Sequence, residues 1–199
     1  VKKIYLISII VVFIGITSGI TYFITRDANA KIPENIVLVN QDGKDYKIEN
    51  SNAEVKLVEF IYTHCPDICP TTTQKMNLLR KELIKQGLFG KKVKFITITI
   101  DPYRDSPEVL QDYMDDFGII SDGNWQLLTA HPNRMKEDQK KIKSIADTFK
   151  FQYRDPGNGF YVHSTFTYLV DENNQFIKKF PMGGDFNKDE VYKEIMKEL

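Results

Sequence analysis

Residues 55–62 (Val-Lys-Leu-Val-Glu-Phe-Ile-Tyr) and 93–100 (Val-Lys-Phe-Ile-Thr-Ile-Thr-Ile) are short, rich in β-branched and apolar side chains, and followed by helical patterns. Such runs read as strands that pack inside a sheet. After the first, residues 71–86 place Met76, Leu79 and Leu83 on one helical face, with Gly87 as the stop. After the second, Ser106-Pro107 opens a helix whose inner face is Leu110, Tyr113, Met114 and Phe117. A short strand at 125–128 precedes a third helix over 133–149 carrying Ile142, Ile145, Ala146 and Phe149. Residues 151–161 contain Asp155-Pro156-Gly157-Asn158-Gly159 and read as an exposed loop. Strands at 164–170 and 176–180 flank Asp171-Glu172-Asn173-Asn174 as a hairpin. A last helix starts at Asn187 with Glu190 as a capping box and turns Val191, Ile195 and Leu199 inward. A further hairpin, 36–39 and 46–48 around Asp42-Gly43, comes first. Helices alternating with strands predict an α/β domain: a central sheet covered on both faces, ending in a hairpin and a helix.

The chain of 199 residues accommodates one such domain, at 36–199, with a short appendage. The appendage is Lys2-Lys3 followed by an uncharged, mostly apolar run over 4–24. As a helix that run is roughly 31 Å long, enough to cross a bilayer core. Residues 1–26 therefore read as a cytoplasmic N-terminus and membrane anchor, and 27–35 as a linker, with the domain on the far side by the positive-inside rule. A cleaved signal peptide is the competing reading, since Ala28-Asn29-Ala30 resembles a cleavage site; the apolar run is longer than such peptides use. Basic and acidic side chains balance at 27 each, so no excess charge points to a nucleic-acid partner.

The two cysteines lie together in Tyr62-Thr63-His64-Cys65-Pro66-Asp67-Ile68-Cys69-Pro70, between the first core strand and its helix. Two cysteines this close make a poor structural staple, because closing so short a loop removes little unfolded-chain entropy. At the start of a helix, free backbone N–H groups and the helix dipole favour thiolate over thiol. Thiolates so placed exchange disulfides or hold a soft metal. Burial as two small hydrophobes is the remaining alternative. A thiol pair at this junction fits a thioredoxin-like sheet.

Three histidines accompany them. His163 opens the strand of the terminal hairpin, a connection that approaches the cysteine loop in such a sheet, and it could add a nitrogen to the two sulfurs; otherwise it is a loop histidine bonded to backbone. Two thiolates and an imidazole suit copper as Cu(I) or Cu(II), whereas structural zinc normally takes four protein ligands. His64 is placed to lower the thiol pKa, and His131 reads as a surface residue. Asp101, Arg104 and Asp105 follow the second core strand at the same edge of the sheet, either as a solvated turn or as support for the site or a docking surface.

The three blocks Tyr-Thr-His-Cys-Pro-Asp-Ile-Cys-Pro, Asp-Pro-Tyr-Arg-Asp-Ser-Pro and His-Ser-Thr-Phe-Thr-Tyr-Leu-Val-Asp, in this order, closely resemble the SCO/SenC family over residues 55–199. The resemblance implies a membrane-anchored, thioredoxin-like copper protein that assists assembly of cytochrome c oxidase, with the dinuclear copper centre of subunit II as its target. It implies Cys65, Cys69 and His163 as copper ligands, Asp101 as a residue near the metal, and Arg104-Asp105 as part of a surface turn. Val162 stands where many members carry aspartate, and Ala130 where glycine is common. A single-pass protein of a bacterial cell membrane is expected, with the mitochondrial inner membrane as the alternative. The rival function is a thiol–disulfide oxidoreductase in which Cys65 and Cys69 keep the target cysteines reduced; a peroxidase leaves His163 without a role.

Overall fold

The computed structural model describes residues 2–28 and 30–199. Asn29, at the centre of the cleavage-like tripeptide, lies outside the described residues. Helix α1 (Lys2–Ala28) carries the apolar run. Over Lys3–Tyr22 it is long and apolar enough to cross a membrane, and none of that stretch is buried against the rest of the chain.

The domain begins with the expected hairpin, β1 (Val37–Asn40) and β2 (Asp45–Lys47). It continues through β3 (Val55–Ile61), α2 (Ile68–Lys85), β4 (Val93–Thr99), α3 (Pro107–Asp116), β5 (Trp125–Thr129) and α4 (Met135–Thr148). A two-stranded ribbon follows, β6 (Tyr153–Arg154) with β7 (Val162–His163), then the hairpin β8 (Phe166–Asp171) and β9 (Phe176–Pro181), and α5 (Lys188–Glu198). The main sheet runs β2-β1-β5-β4-β3-β8-β9. Its centre is parallel, β3 to β4 to β5, while β8 lies antiparallel against β3 and β1 against β5. This is a thioredoxin-like sheet.

The crossovers through α2 and α3 step the same way across the sheet, so right-handed connections put both helices on one face. The chain then returns through α4 to reach β8 on the other side of β3, which puts α4 on the opposite face. Alternation along β3 matches this: Phe60 meets Phe149 and Phe151 beside α4, and its neighbour Glu59 points to the α2 face. Met76, Leu79 and Leu83 of α2 are fully buried, as the helical spacing predicts. Gly87 closes that helix at φ +68, a conformation glycine adopts without penalty.

Two local differences from the sequence reading matter for the site. Helix α2 starts at Ile68, three residues before the expected 71, so Cys69 lies in its first turn. Pro70 is no boundary there, because the first-turn N–H groups have no intrahelical partner to lose. The segment expected as loop is only partly so: Tyr153 pairs with His163 and Arg154 with Val162, leaving 155–161 as the loop of a small hairpin.

Candidate metal centre

Strand β3 ends at Ile61, and a turn closed by Cys65 N–H donating to the Tyr62 carbonyl (3.1 Å) leads into α2. Cys65 is half-buried on that turn and Cys69 is buried one helical turn later. The Cys69 N–H donates to Cys65 Sγ at 3.4 Å, an orphan helix-start donor aimed at a sulfur. The β6–β7 ribbon brings His163 from 94 residues away to within 3.9 Å of Cys69 Sγ through Nε2. The donor atoms of Cys65, Cys69 and His163 all lie within 4.8 Å of one another. A triangle of that size has a centre within about 2.8 Å of every corner, a small contraction from the roughly 2.0–2.3 Å of nitrogen and sulfur bonds to a transition metal. Both cysteines are reduced. Among the described residues, His64 and His131 supply no donor to this cluster; His131 instead accepts from the Asn133 N–H at 3.0 Å.

The imidazole is prepared for this task. Nδ1 lies 2.6 Å from the Ser164 carbonyl, which can only accept, so Nδ1 carries a proton and Nε2 is the nitrogen turned toward the sulfurs. Its ring is held by aromatics, stacking at 5.7 Å on Phe151 and meeting Tyr62 edge-on at 5.8 Å. Phe151 stacks in turn on Phe60 of β3 at 4.6 Å, tying the histidine to the core.

The two sulfurs differ sharply. The Cys69 thiol donating to Cys65 draws the Cys65 pKa well below the ordinary thiol range, and His163 and the N–H groups of Asp67 and Cys69 act the same way against burial. Cys69 moves up, because giving that hydrogen bond, burial and the charge on Cys65 all favour its neutral form. The pair thus holds one negative charge, centred on the accessible sulfur. Burial and that charge push the Tyr62 phenol up to about 12.

Asp101, Arg104 and Asp105 hang from the end of β4, and their roles separate. Asp101 is buried and paired with Arg104, whose Nη1 reaches over to donate to the Gly159 carbonyl at 2.9 Å. The Tyr161 hydroxyl donates to Asp101 at 3.5 Å, and the Arg104 guanidinium lies 5.9 Å from the Tyr161 ring. These contacts clasp the 155–161 loop, and with it the ribbon that carries His163, to the main sheet. Asp105 corrects the expectation of a surface turn: it is fully buried. It accepts from the Thr63 N–H at 3.1 Å and from the hydroxyls of Thr63 and Thr99, so it fixes the turn before Cys65. Burial pushes its pKa up, against the pull of these donors.

Sequence reasoning reached the two sulfurs, the nitrogen and the Asp-Arg turn. It missed Phe151, Tyr161 and Ser164 as the residues that fix His163. The aromatic spacing of Phe151, Tyr153 and Tyr161 was the available signal.

A thioredoxin-like sheet with two cysteines and a histidine converging at its strand-to-helix junction defines a class of soft-metal or thiol-redox proteins. The family description SCO1/SenC matches residues 25–199, and the chain belongs to that family. An SCO2-like protein of Rickettsia typhi is 35% identical over 160 residues, covering 76% of this chain and 71% of that protein. Among solved structures, BsSco, described as carrying a disulfide switch and as a member of the Sco family of cytochrome c oxidase assembly proteins, is 27% identical. It superposes with a TM-score of 0.71 over 85% of this chain and 94% of that one. Arabidopsis thaliana ScoI with copper bound is 25% identical, with a TM-score of 0.66 over 84% of this chain and 97% of that one.

Proposed function

We propose that this chain is a membrane-anchored copper protein that assists cytochrome c oxidase assembly by delivering copper to the dinuclear centre of subunit II. The observation that carries this reading is the convergence of Cys65 Sγ, Cys69 Sγ and His163 Nε2 within 4.8 Å. Two sulfurs satisfy Cu(I), and the added imidazole also accommodates Cu(II). The half-buried Cys65 is the sulfur through which the ion arrives and leaves, while buried Cys69 and clasped His163 hold it. Transfer then proceeds by ligand exchange with incoming thiolates, without release of free ion. The copper-bound ScoI neighbour and the oxidase-assembly description of BsSco support the assignment. Helix α1 is the anchor, with Lys2-Lys3 in the cytoplasm and the domain outside the cell membrane.

The test is a copper titration of the reduced, metal-free chain in detergent, beside Cys65→Ser and His163→Ala. One tightly held ion with a sulfur-to-copper absorption band, lost in Cys65→Ser and at least tenfold weaker in His163→Ala, is expected. Absence of tight binding, with ready Cys65–Cys69 disulfide formation and no effect of His163→Ala, points instead to a thiol–disulfide oxidoreductase.

A further inference from the structure

The loop between β6 and β7 holds a reactive pair that the copper reading does not use. Its sequence Asp155-Pro156-Gly157-Asn158-Gly159 ends in an asparagine followed by glycine, and Asn158 is exposed to solvent. The side-chain carbon of an asparagine is open to attack by the backbone nitrogen of the next residue, which closes a five-membered imide when that nitrogen is uncrowded and unengaged. Gly159 meets both conditions. It has no side chain, and at φ +86 it holds a conformation that other residues adopt only with strain. Among the described residues its N–H has no hydrogen-bond acceptor, whereas Gly157 N–H donates to Asp155 Oδ1 at 2.7 Å.

The surrounding donors favour the attack. Phe160 N–H donates to Asn158 Oδ1 at 3.1 Å. That bond folds the side chain back along its own backbone, and it rests on the oxygen that gains negative charge as the ring closes. Arg104 Nη1 donates to the Gly159 carbonyl at 2.9 Å and would stand 3.7 Å from a Cβ added at Gly159. A positive charge therefore lies beside the residue whose nitrogen must give up its proton, and it stabilises the anion so formed.

We infer that Asn158 is a self-modification site, and that its conversion to isoaspartate releases the clasp on His163. The step balances without a redox partner. The Gly159 nitrogen loses its proton to solvent base and bonds to Asn158 Cγ, and the side-chain amide leaves as ammonia. Water then opens the imide. Opening at Cγ gives ordinary aspartate; opening at the main-chain carbonyl leaves the chain running through Cγ as isoaspartate. The isoaspartyl loop is longer by one backbone atom and carries a new carboxylate. Its ends are pinned, Arg154 opposite Val162 and Tyr153 opposite His163, so the added atom carries the Gly159 carbonyl out of line with Arg104. The new carboxylate also competes for the guanidinium. The His163 ribbon is then left with its ring contacts and the Tyr161 hydroxyl. Only the consequence for copper rests on the ligand reading; the modification does not.

The test ages the reduced, metal-free full chain in detergent at mildly alkaline pH, followed by peptide mapping. A gain of one mass unit at Asn158, with an isoaspartyl peptide resolved from the aspartyl one, is expected in wild type and not in Asn158→Ala. The folded chain should react within about threefold of the rate of the urea-unfolded chain, and a rate more than about tenfold slower overturns the geometric argument. Amide hydrogen exchange over 153–164 reads the clasp. It is expected to quicken at least about tenfold in the isoaspartyl chain and to stay within about twofold of fresh wild type in aged Asn158→Ala and fresh Asn158→Asp. An isoaspartyl chain with unchanged exchange overturns the release of the clasp, and quickened exchange in fresh Asn158→Asp overturns the role of the added backbone atom. Cu(II) binding by the isoaspartyl chain should weaken about tenfold. Because mapping and exchange involve no copper, a chain that binds none yet shows both changes retains this inference and loses the other.

Discussion

The two halves of the metal centre are held in unlike ways. The cysteine turn grows out of the core: β3 lies between β4 and β8, α2 buries its inner face, and Asp105 receives three donors from the turn and the neighbouring strand. The histidine sits on a two-residue strand of a two-stranded ribbon, outside the main sheet. It is held by an arginine clasp, one tyrosine hydroxyl and a stack of rings. The sulfurs are thus fixed by the fold, and the nitrogen by a few side-chain contacts that can be removed singly. The nitrogen can therefore be loosened by single substitutions that leave both sulfurs in place.

The largest effect is expected where the rigid half is broken. Asp105→Ala leaves the Thr63 N–H and the Thr63 and Thr99 hydroxyls without their acceptor and should cost about 3 kcal/mol, read by denaturant unfolding. Both copper affinity and thiol reactivity should fall with it, because the turn that places Cys65 is lost; unchanged reactivity of Cys65 would detach Asp105 from the site.

Glu59→Gln, under the same turn, should act in the opposite direction. The carboxyl is pushed up to about 8 in the folded chain from an ordinary value near 4.5. Between those values the folded state binds more protons than the unfolded one, so stability falls as pH rises. Its contribution is complete below about pH 4.5 and lost as pH climbs through about 8. The variant should be more stable than wild type by a few kcal/mol near pH 8 and show little gain near pH 4.5. Thermal unfolding across this range checks the slope; a constant difference would place Glu59 at an ordinary pKa.

Arg104→Met opens only the lighter half. It removes the donor to the Gly159 carbonyl and the partner of Asp101, with an expected stability loss of about 1–2 kcal/mol. Cu(II) binding, which depends on the imidazole, should weaken about tenfold, while Cu(I) binding through the two sulfurs weakens less. Equal losses for both ions would mean that the clasp supports the whole centre.

The smallest effect belongs to Tyr161→Phe. Its hydroxyl makes one long bond at 3.5 Å to Asp101, so about 0.5 kcal/mol and less than a twofold change in copper affinity are expected. A loss near that of Arg104→Met would move the weight of the clasp from the guanidinium to the phenol.

The same division governs what the sequence made legible. Strands β3 and β4 and the inner face of α2 follow from local periodicity, and Cys65 and Cys69 from their place at a strand-to-helix junction. The ribbon does not: two residues per strand around a Pro-Gly-rich loop carry no period to detect. Asp105 sits in a turn that reads as solvated, and its burial is set by Thr63, 42 residues earlier. Glu59 was visible only as a lone acid inside an apolar run, and its free oxygen emerges only when β4 and α2 are packed around it.

The tether after α1 joins the sheet at one particular end. Ile32 N–H donates to the Asn174 carbonyl and Phe176 N–H to the Ala30 carbonyl, at the β8–β9 turn. Register places the end of β8, Asp171, opposite Val55, the first residue of β3, whereas the cysteine turn leaves β3 after Ile61. The seven residues of β3 therefore stand between tether and site, a spacer of roughly 23 Å. The residues that follow α1 are thus pinned at one end of β3 and the three donors gathered at the other, so the length of that strand sets how far the chain's N-terminal helix stands from its sulfur and nitrogen donors.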